Sequence, residues 1–474
     1  MTNTIAVIGA GISGVSFAYE INKLIKTNNL PYKVKILEAS SRSGGVINSQ
    51  PFYNHTIENG PEAFLTQDKY ILSLIDELGL SEDLISMNSH FRRTFIYSNN
   101  ELNPLPDGFR LFLPTNVISF LASPILSFGG KLAVLKDLLY IFKKSNQDES
   151  LHDFVVNRFG MEIYKKIAQP MLSAIYGGDP KNLSVNSTIK LLNYYRERYG
   201  SVLYGLQMSS YKKKNEAGPR YSLFMTLKNG LEELIKAMLN SLPDDSLMLN
   251  AEVTSIKENN GNYLIDFKNK SSMLASSVVL ATPAYISANV LAQLDDKVGK
   301  ALSTIKYSSA IVVNLFYNIA DLDDKLQGFG YVVPQSEGKF VQACSFSSVK
   351  FPDKLNNEYH LLRAFICGSQ AKESLGLSHN EIIDKAVSEI NDILKIKKKP
   401  INSNVIKYPN SMPQLEVGHG QKISEIEKML AQHKKIKLIG SAYKGVGMPD
   451  CVSNASKIAN DLAKELGATQ TLVI

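Results

Sequence analysis

The residues best suited to chemistry stand at the start of the chain, where three glycines have the spacing of a phosphate-binding turn. Gly9, Gly11 and Gly14 follow an apolar run at residues 5–8 that is typical of a buried parallel strand. Gly9 permits a tight turn, Gly11 lets the backbone approach a pyrophosphate, and Gly14 lets the next helix pack closely on the strand. The N-terminus of that helix directs N–H donors and partial positive charge at the phosphates. The pattern predicts a dinucleotide site.

A second predicted strand, at residues 34–37, ends in Glu38, whose carboxylate can accept hydrogen bonds from ribose hydroxyls. A negative charge at this position disfavours the additional phosphate of NADP. The run Arg42-Ser43-Gly44-Gly45 follows directly, where a longer ligand must be held beyond its pyrophosphate. We therefore predict FAD rather than NAD. The alternative is that these glycines only serve a turn that needs their backbone freedom.

A second glycine-rich junction between a strand and a helix lies near the C-terminus. Residues 437–440 are predicted to form a short strand, and Gly445 and Gly447 follow in the loop. Pro449 and Asp450 suit the first turn of a helix. Aimed at the N1–C2=O edge of a flavin, the positive end of this helix would stabilise the anionic reduced ring. The alternative is an ordinary capped helix after a glycine loop.

The elements that must position these motifs alternate between helices and strands. Helical structure is predicted at residues 66–89, over most of 151–200, from 228 to 239 and from 451 to 466. Strands are predicted at residues 247–256, 263–267, 278–282, within 305–366 and at 437–440. Since one glycine motif opens the chain and another closes it, we predict an α/β fold with a discontinuous Rossmann-like domain and other units inserted between its pieces.

Composition and charge bound the class of protein. The chain has 474 residues, long for one core, and 44% hydrophobic and 20% charged residues are typical of a globular protein. The net charge of +7 comes from dispersed basic residues, so no nucleic-acid partner is expected. Cys344, Cys367 and Cys451 lack CxxC spacing; neither a metal site nor a disulfide framework is expected. Cys451 is interpreted as a small apolar residue rather than a covalent flavin link. The early first strand leaves no room for a signal peptide, which predicts a cytoplasmic protein.

Residues 111–130 form a long uncharged stretch between Arg110 and Lys131. Its length would span a bilayer, but two prolines and Gly129-Gly130 interrupt any single helix, so no transmembrane helix is predicted. Two interpretations stay open: a broken apolar segment in the protein interior, or a pair of helices lying on a membrane, with lysines that meet acidic headgroups. Those lysines are Lys131, Lys136, Lys143 and Lys144.

Taken together, the motifs resemble the oxygen-dependent protoporphyrinogen/coproporphyrinogen oxidase family, within the flavin amine oxidase superfamily. The resemblance covers nearly the whole chain in consistent order. Most particular to porphyrinogen oxidases are Ile175-Tyr176-Gly177-Gly178-Asp179-Pro180 with Leu183-Ser184, Met412-Pro413-Gln414 with Val417-Gly418-His419, and Gly445-Val446-Gly447-Met448-Pro449-Asp450-Cys451. Further matches are Glu58-Asn59-Gly60-Pro61-Glu62-Ala63-Phe64, Tyr199-Gly200-Ser201, Thr226-Leu227-Lys228-Asn229-Gly230-Leu231 and Ala281-Thr282-Pro283-Ala284.

The resemblance implies three parts: an FAD-binding domain, a mostly helical membrane-associated domain and an α+β substrate-binding domain. The first is expected at residues 1–90, 222–290 and 405–474, the second at 91–221 and the third at 291–404.

The resemblance also implies which residues contact FAD. They are Gly9, Ala10, Gly11, Ile12, Ser13, Gly14, Glu38, Ala39, Arg42, Gly45, Val46, Gly60, Pro61, Glu62, Ala63, Val253, Ser441, Val446, Gly447 and Met448. Val253 fits this role independently, because it lies in a predicted strand pair whose backbone N–H and C=O groups can hold adenine.

Many members of the family carry an arginine beside the substrate propionates. Spacing back from Leu102-Asn103-Pro104-Leu105-Pro106 places Thr94 at that position, with Arg92 and Arg93 adjacent. We predict that Arg93 pairs with a propionate. The alternative is a solvated basic pair.

The implied reaction is the oxidation of protoporphyrinogen IX to the porphyrin in heme biosynthesis, by three successive two-electron dehydrogenations. Hydride passes from a meso carbon to flavin N5, and O2 then reoxidises the flavin and gives H2O2. Because the flavin does the chemistry, no catalytic residue is predicted, and His419 is interpreted as structural. The expected partners are a tetrapyrrole and O2, with the cytoplasmic face of the inner membrane and a homodimer as further candidates.

Three alternatives remain. The first is a coproporphyrinogen III oxidase that gives coproporphyrin III. The second is another flavin amine oxidase or a carotenoid-type desaturase. The third is a GDP-dissociation-inhibitor-like binding protein that keeps the nucleotide scaffold without using flavin; the C-terminal loop argues against it.

Overall fold

The computed structural model describes residues 3–52, 55–88, 93–106, 108–110, 112–141, 143–215, 222–322, 325–355 and 359–469, with the backbone alone for residues 117 and 210–215. The chain divides into two compact units, and each is described by itself. The first unit consists of Met1–Ser86, Tyr221–Lys306 and Gly420–Ile474. The second consists of Met87–Arg220 and Tyr307–His419. Both ends of the polypeptide therefore belong to the first unit.

The centre of the first unit is a sheet of five parallel strands, called here the nucleotide sheet. Two of its inner strands, Asn3–Ile8 and Ser277–Leu280, contain continuous buried runs without alternation, as strands covered on both faces require. Their order across the sheet is Leu247–Met248, Tyr32–Leu37, Asn3–Ile8, Ser277–Leu280 and Ile436–Leu438. Because all five run in the same direction, their carboxyl ends meet at one edge of the sheet.

Two helices of the first unit pack against each other beside this sheet. They are Ile12–Thr27 and the C-terminal helix Met448–Glu465, which join the same buried cluster through Ala18 and Ala455. The shared core gives the first and last helices a fixed relation within this unit. The other helices of the unit are Lys69–Glu77, Glu232–Asn240, Ala284–Leu291, Asp296–Ser303 and His419–Leu430, with 3-10 turns at Ser81–Asp83 and Asp244–Ser246.

Two elements of the first unit are shorter than the sequence pattern predicts. The helix predicted at residues 66–89 ends at Glu77, because Gly79 at a φ of +72° turns the chain. The strand predicted at residues 247–256 is divided between two sheets, since Asn250 adopts a φ of +50° between its halves.

Three small antiparallel sheets complete the first unit. The first pairs Ser49–Phe52 with His55–Glu58, the second places Phe224–Leu227 between Phe64–Leu65 and Leu84–Ser86, and the third is Val253–Asn259, Asn262–Phe267 and Met273–Ala275.

A buried carboxyl group lies on the helix Ile12–Thr27. The side chain of Glu20 is 1% exposed, and its Oε1 accepts a hydrogen bond from the Tyr70 hydroxyl at 2.7 Å. The Tyr70 hydroxyl also lies 2.7 Å from Ser456 Oγ on the C-terminal helix. Glu20 Oε2 has no hydrogen bond among the described residues and lies 3.5 Å from Lys23 Nζ. Burial raises the pKa of Glu20 above its ordinary value, against the smaller opposing effects of Tyr70 and Lys23.

The raised pKa of Glu20 predicts a pH dependence of stability. Between the ordinary and the raised pKa, the folded protein binds more protons than the unfolded chain, so this residue lowers the free energy of unfolding as pH rises. We expect Glu20→Gln to remove this loss, so that the variant gains stability relative to wild type from pH 5 towards pH 8. Urea unfolding across that range measures the difference, with Glu82→Gln, an exposed acid, as the control. Parallel pH profiles for wild type and Glu20→Gln would contradict the assignment.

The second unit is built on a sheet of seven strands. All neighbours are antiparallel except Gly330–Val332 and Thr94–Ser98, which run parallel. The amphipathic helix His379–Leu394 shares a buried cluster with alternate residues of these strands, which places it on one face. The order is Asn402–Pro413, Tyr307–Asn318, Tyr359–Cys367, Ala343–Phe346, Gly330–Val332, Thr94–Ser98 and Glu101–Pro104.

The remainder of the second unit is mostly helical. Its helices are Val117–Ala122, Phe128–Leu135, Leu151–Phe159, Met161–Ile163, Gln169–Tyr176, Val185–Thr188, Lys190–Tyr199, Val202–Asn215, Ser347–Lys350 and Gly368–Ser374, with a π-helical turn at Tyr164–Ala168. Short 3-10 turns lie at Lys136–Tyr140, Ile319–Asp321, Gln335–Glu337 and Pro352–Lys354, and a two-residue hairpin pairs Phe109–Arg110 with Leu113–Pro114. The helices of residues 117–206 form one buried cluster that also includes sheet residues such as Ile96 and Val332.

The stretch at residues 111–130, apart from residue 111, which lies outside the described residues, is partly buried and partly exposed. Phe112, Leu113 and Phe120 are buried in the helical core. Ile118 is 82% exposed and Phe128 is 77% exposed. The two short helices therefore present one face to the core and the other to solvent. Within the described part of the chain, no helix combines the length and apolar character needed to cross a bilayer.

Candidate functional site

The carboxyl edge of the nucleotide sheet brings the first and last glycine motifs to the same place. Gly9 follows one strand and donates its N–H to Leu37 O on the neighbouring strand at 2.8 Å. On the other side, Ala281 N donates to Ile8 O at 2.8 Å, and Ile439 N donates to Leu280 O at 3.0 Å. These bonds continue the parallel ladder to the points where the loops begin. The predicted cofactor residues at both ends of the chain thus share one edge.

The first glycine turn has the geometry that its three glycines suggest. Gly9 has a φ of +104°, which favours glycine, and a Cβ on Gly14 would collide with the carbonyl oxygen of Gly9. Gly11 differs from both: its φ of −72° suits any residue, and a Cβ there would meet no atom within 4 Å. The fold itself does not require a glycine at position 11. The open space in front of it fits a phosphate group.

The helix that follows this turn is open at its N-terminus. Gly11 is the N-cap of Ile12–Thr27, no described side chain caps the helix, and its first turn carries no acidic residue. The partial positive charge and the first-turn N–H donors can therefore serve an anion. Ala10 and Ser13 are buried and Ile12 is half-buried, so these positions contribute backbone rather than extended side chains. This donor set suits a pyrophosphate.

Glu38 follows the strand Tyr32–Leu37 and is held by two neighbouring segments. Its Oε2 accepts the N–H of Ala10 at 2.7 Å, and its Oε1 accepts the N–H of Ser40 at 2.9 Å. The side chain is half-buried, and Ala39 is exposed beside it. The carboxylate thus lies next to the first glycine turn, where a ribose adjoining the pyrophosphate is expected.

Arg42 directs its guanidinium at backbone carbonyls of its own loop. Nη1 donates to Ser43 O and to Ile47 O, both at 3.0 Å, and Nη2 donates to Gly45 O. Gly44 and Gly45 have φ values of +105° and +60°, so both positions favour glycine for backbone reasons. This loop also adjoins the first turn, because Gly44 N donates to Ala10 O at 2.8 Å.

The predicted adenine residue, Val253, begins a strand whose approach is attached to Glu38. Ala251 N donates to Glu38 O at 2.7 Å, and Asn250 N donates to Ser40 O at 3.0 Å. Val253 is buried two residues later. The segment that carries it is thus fixed beside the predicted ribose carboxylate.

The remaining predicted cofactor residues of the first unit lie in loops. Gly60, Pro61, Glu62 and Ala63 are half-buried between two small sheets, and Val46 is exposed after Gly45.

In the C-terminal loop, Gly440 and Gly445 have φ values of +127° and +145°. A Cβ on Gly445 would collide with the Asp450 carboxylate, so this carboxylate lies against the glycine backbone. Gly447 is the N-cap of the helix Met448–Glu465, and no described side chain caps it. The helix begins two residues before Asp450, with Ser441, Val446, Gly447 and Met448 half-buried around its start.

The structure places Arg93 in the second unit, immediately before the strand Thr94–Ser98. Its side chain is exposed, while its carbonyl oxygen accepts the N–H of Phe329 at 2.7 Å. Thr94 pairs with Gly330 and accepts the N–H of Leu105 at its carbonyl, which fixes the strand register at this point. Arg92 lies outside the described residues. The pairing of Arg93 with a propionate stays a prediction.

Two of the family-like motifs bind each other within the second unit. Gln414 Nε2 donates to Tyr176 O at 3.1 Å, and Ser184 N donates to Leu415 O at 2.8 Å. Asp148 Oδ2 accepts the N–H of Gly418 at 2.8 Å. His419 is buried at the start of a helix. These contacts give the motifs a part in the tertiary structure of the second unit, and the structural interpretation of His419 stays a prediction.

Two residues hold segments of the first unit in place although the sequence assigned them no role. Ser40 contacts both Glu38 and the Arg42 carbonyl. Glu58 is buried, and its Oε1 accepts the N–H of Leu231 at 2.8 Å, just before the helix Glu232–Asn240. A serine two residues after a glutamate is common in proteins, so the sequence around Ser40 did not indicate its role. The Glu58 partner is remote in sequence, so only the fold reveals it.

This site and fold define the class of protein. The chain belongs to the family of flavin-containing amine oxidoreductases, whose family model matches residues 12–463. The superfamily predicted from the motifs is thereby confirmed, with an α/β fold, oxidoreductase activity and FAD as the cofactor. The open cradle at Gly11, the uncapped helix and the Glu38 carboxylate fit this cofactor.

Individual relatives are similar along almost the whole chain. The coproporphyrinogen III oxidase of Bacillus subtilis (strain 168) is 28% identical over 463 residues, which cover 96% of this chain and 97% of that protein. The protoporphyrinogen oxidase of Bos taurus is 29% identical over 492 aligned residues, with 97% and 98% covered. Among solved structures, a protein from Exiguobacterium sp. 255-15 has the same fold, with a TM-score of 0.84, 24% identity and 98% and 99% coverage.

Proposed function

We propose that this chain is an FAD-dependent porphyrinogen oxidase of heme biosynthesis. It oxidises protoporphyrinogen IX to the porphyrin, uses O2 as the electron acceptor and releases H2O2. The observation that carries this proposal is the combination of the flavin site with full-length similarity to relatives named protoporphyrinogen and coproporphyrinogen III oxidase. Coproporphyrinogen III is the second candidate substrate, favoured by the names of the Bacillus subtilis and Staphylococcus aureus relatives, each 28% identical.

The proposed roles of the residues follow from their chemistry. The turn at residues 9–14 and its helix would hold the pyrophosphate, Glu38 the ribose and Val253 the adenine. The second uncapped helix, Met448–Glu465, would place partial positive charge at the ring end of the cofactor. FAD, when bound, supplies the two-electron oxidation. Arg93 is the proposed partner of a substrate propionate.

The experiment supplies each porphyrinogen to the purified protein in air. We expect an FAD absorption spectrum, rising porphyrin fluorescence and three H2O2 per macrocycle, because porphyrinogen carries six more hydrogens than porphyrin. Faster turnover of coproporphyrinogen III would favour the second candidate. Oxidation of amines with neither porphyrinogen consumed would overturn the proposal, and a colourless protein without bound flavin would favour a binding protein.

We also propose that the helical part of residues 91–221 attaches the protein to the cytoplasmic face of a membrane. Exposed apolar side chains lie on two neighbouring short helices and the following turn: Ile118, Leu121, Phe128, Leu132 and Leu139. Lys136, Lys143 and Lys144 are exposed nearby in sequence and suit acidic headgroups. Lys131 is not included among these lysines, because its Nζ donates to Leu121 O at 2.7 Å. The three-domain division and a homodimer stay proposals as well.

Replacement of two exposed apolar residues tests this attachment. Each apolar side chain that enters a membrane contributes about 1.5–3 kcal/mol, so Ile118→Ser with Phe128→Ser is expected to weaken vesicle binding ~100-fold or more. Flotation with phosphatidylglycerol-containing vesicles measures binding. The difference from binding to pure phosphatidylcholine vesicles gives the contribution of the lysines and the acidic headgroups. Ile401→Ser, at another exposed apolar residue, is the control. If the double variant floats like wild type, these helices are not the attachment site.

A further inference from the structure

A closed ring of hydrogen bonds joins the end of the second strand to both glycine turns at the N-terminal end of the chain. Glu38 takes the N–H of Ala10 at Oε2 and the N–H of Ser40 at Oε1. Ser40 Oγ lies 2.8 Å from Glu38 Oε1 and 2.7 Å from Arg42 O, so its single proton serves either acceptor. The ring returns to its start through Gly44, whose N–H donates to Ala10 O at 2.8 Å.

The guanidinium of Arg42 stabilises the loop that forms one side of this ring. The bonds from Nη1 and Nη2 to Ser43 O, Ile47 O and Gly45 O fold the loop back on itself. A planar fork with several N–H donors can hold several carbonyls at once, which a lysine ammonium cannot reproduce. The loop that it fixes adjoins the pyrophosphate turn, because a Cβ on Gly45 would lie 3.3 Å from Gly11 Cα. The charge of Arg42 is thus directed at protein carbonyls.

We propose that Ser40 and Arg42 are positioning residues, which hold Glu38 and the Gly44-Gly45 turn in the geometry that binds FAD before the cofactor arrives. Neither acts by a charge contact with the pyrophosphate. Preorganisation of this kind raises affinity because less freedom is lost on binding. The inference concerns cofactor retention and goes beyond the proposed substrate. Its tests measure FAD binding without any porphyrinogen.

The first test compares Arg42→Met and Arg42→Lys by titrating the FAD-depleted full chain with FAD and following flavin fluorescence. We expect Kd to rise roughly 10- to 100-fold in both variants. Arg42→Lys keeps the charge, so its Kd should show the salt dependence of wild type although its affinity falls. With saturating FAD, the flavin spectrum should match wild type. Wild-type affinity in Arg42→Lys, with a flatter salt dependence in Arg42→Met, would show that the charge acts on the cofactor and would overturn the proposal.

The second test removes only the Ser40 hydroxyl, a change that leaves Arg42 and its loop intact if Arg42→Met fails to fold. Ser40→Ala is expected to raise Kd about 3- to 10-fold, while Ser41→Ala, at an exposed neighbour, leaves it unchanged. Because both residues act in one ring, Ser40→Ala with Arg42→Met should lose less affinity than the product of the single losses. Wild-type affinity in Ser40→Ala, or fully multiplicative losses, would overturn the inference. If the wild-type protein binds FAD but does not oxidise either porphyrinogen, while the variants lose FAD affinity as expected, the proposed function fails and this inference stands.

Discussion

A Gly11→Asp variant is expected to fold and to be purified without FAD. The backbone at Gly11 suits any residue, and a Cβ there meets no atom within 4 Å, so the fold tolerates the side chain. The carboxylate would enter the space that we assign to the pyrophosphate. Two like charges about 4 Å apart repel by about 4 kcal/mol near a protein surface, which corresponds to ~10³-fold weaker binding. The absorbance ratio of bound flavin to protein measures the loss.

Two further variants separate cofactor loss from misfolding. Gly376→Asp adds the same charge at an exposed glycine with equally open surroundings and should keep its flavin. Gly14→Ala should lower the free energy of unfolding, because its Cβ collides with the Gly9 carbonyl. A yellow Gly11→Asp protein with a wild-type flavin ratio would refute the assignment of the pyrophosphate to this turn.

Asp137→Ala is expected to cause the largest loss of stability in the second unit. Asp137 is fully buried; its Oδ1 accepts Arg158 Nη1 at 2.9 Å, and its Oδ2 accepts the Ser201 hydroxyl at 2.8 Å. The backbone N–H of Leu203 donates to the same oxygen at 2.9 Å. Removal of the carboxylate leaves a buried guanidinium without its counter-charge, which costs about 3–5 kcal/mol. Urea unfolding followed by circular dichroism measures the loss.

Removal of one partner of a buried ion pair is more destabilising than removal of both, because a single partner leaves an uncompensated charge. Asp137→Leu with Arg158→Met removes both charges together and should recover part of the stability, because no unpaired charge remains. The recovery stays incomplete, since the Ser201 hydroxyl and the Leu203 N–H still lose their acceptor. Lys300→Ala breaks an exposed pair with Asp296 and should change little. Flavin retention should stay unchanged in Asp137→Ala, since the hydrogen-bond partners of Asp137 are Arg158, Ser201 and Leu203, none of which is a predicted cofactor residue. If Asp137→Ala unfolds at the same urea concentration as wild type, the ion pair between Asp137 and Arg158 does not contribute to stability as proposed.

The sequence by itself determined the cofactor site in outline. The site needs glycines in its turns, apolar strands and a carboxylate at a strand end. Each of these depends on only a few neighbouring residues, so a short stretch of sequence is enough to predict it. Gly9 and Gly14 are needed where their spacing predicted, and Glu38 follows directly after the strand Tyr32–Leu37. The parallel strands then bring the C-terminal loop to the same edge, as one domain assembled from both ends of the chain requires.

Only the tertiary structure decided how the remaining side chains are used. The contact of Arg42 with the cofactor stays a prediction, and the structure adds that its guanidinium binds the carbonyls of its own loop and that Ser40 joins that ring. Some of residues 112–130 are buried and others exposed. The buried ones pack in a cluster that includes Val332, which is remote in sequence, so the local pattern did not show which side chains would be covered. Glu58 stabilises the start of a helix through Leu231. The physical reason is common to these cases: a hydrogen bond or a buried face depends on partners that approach only when the chain is folded, and a local pattern does not encode them.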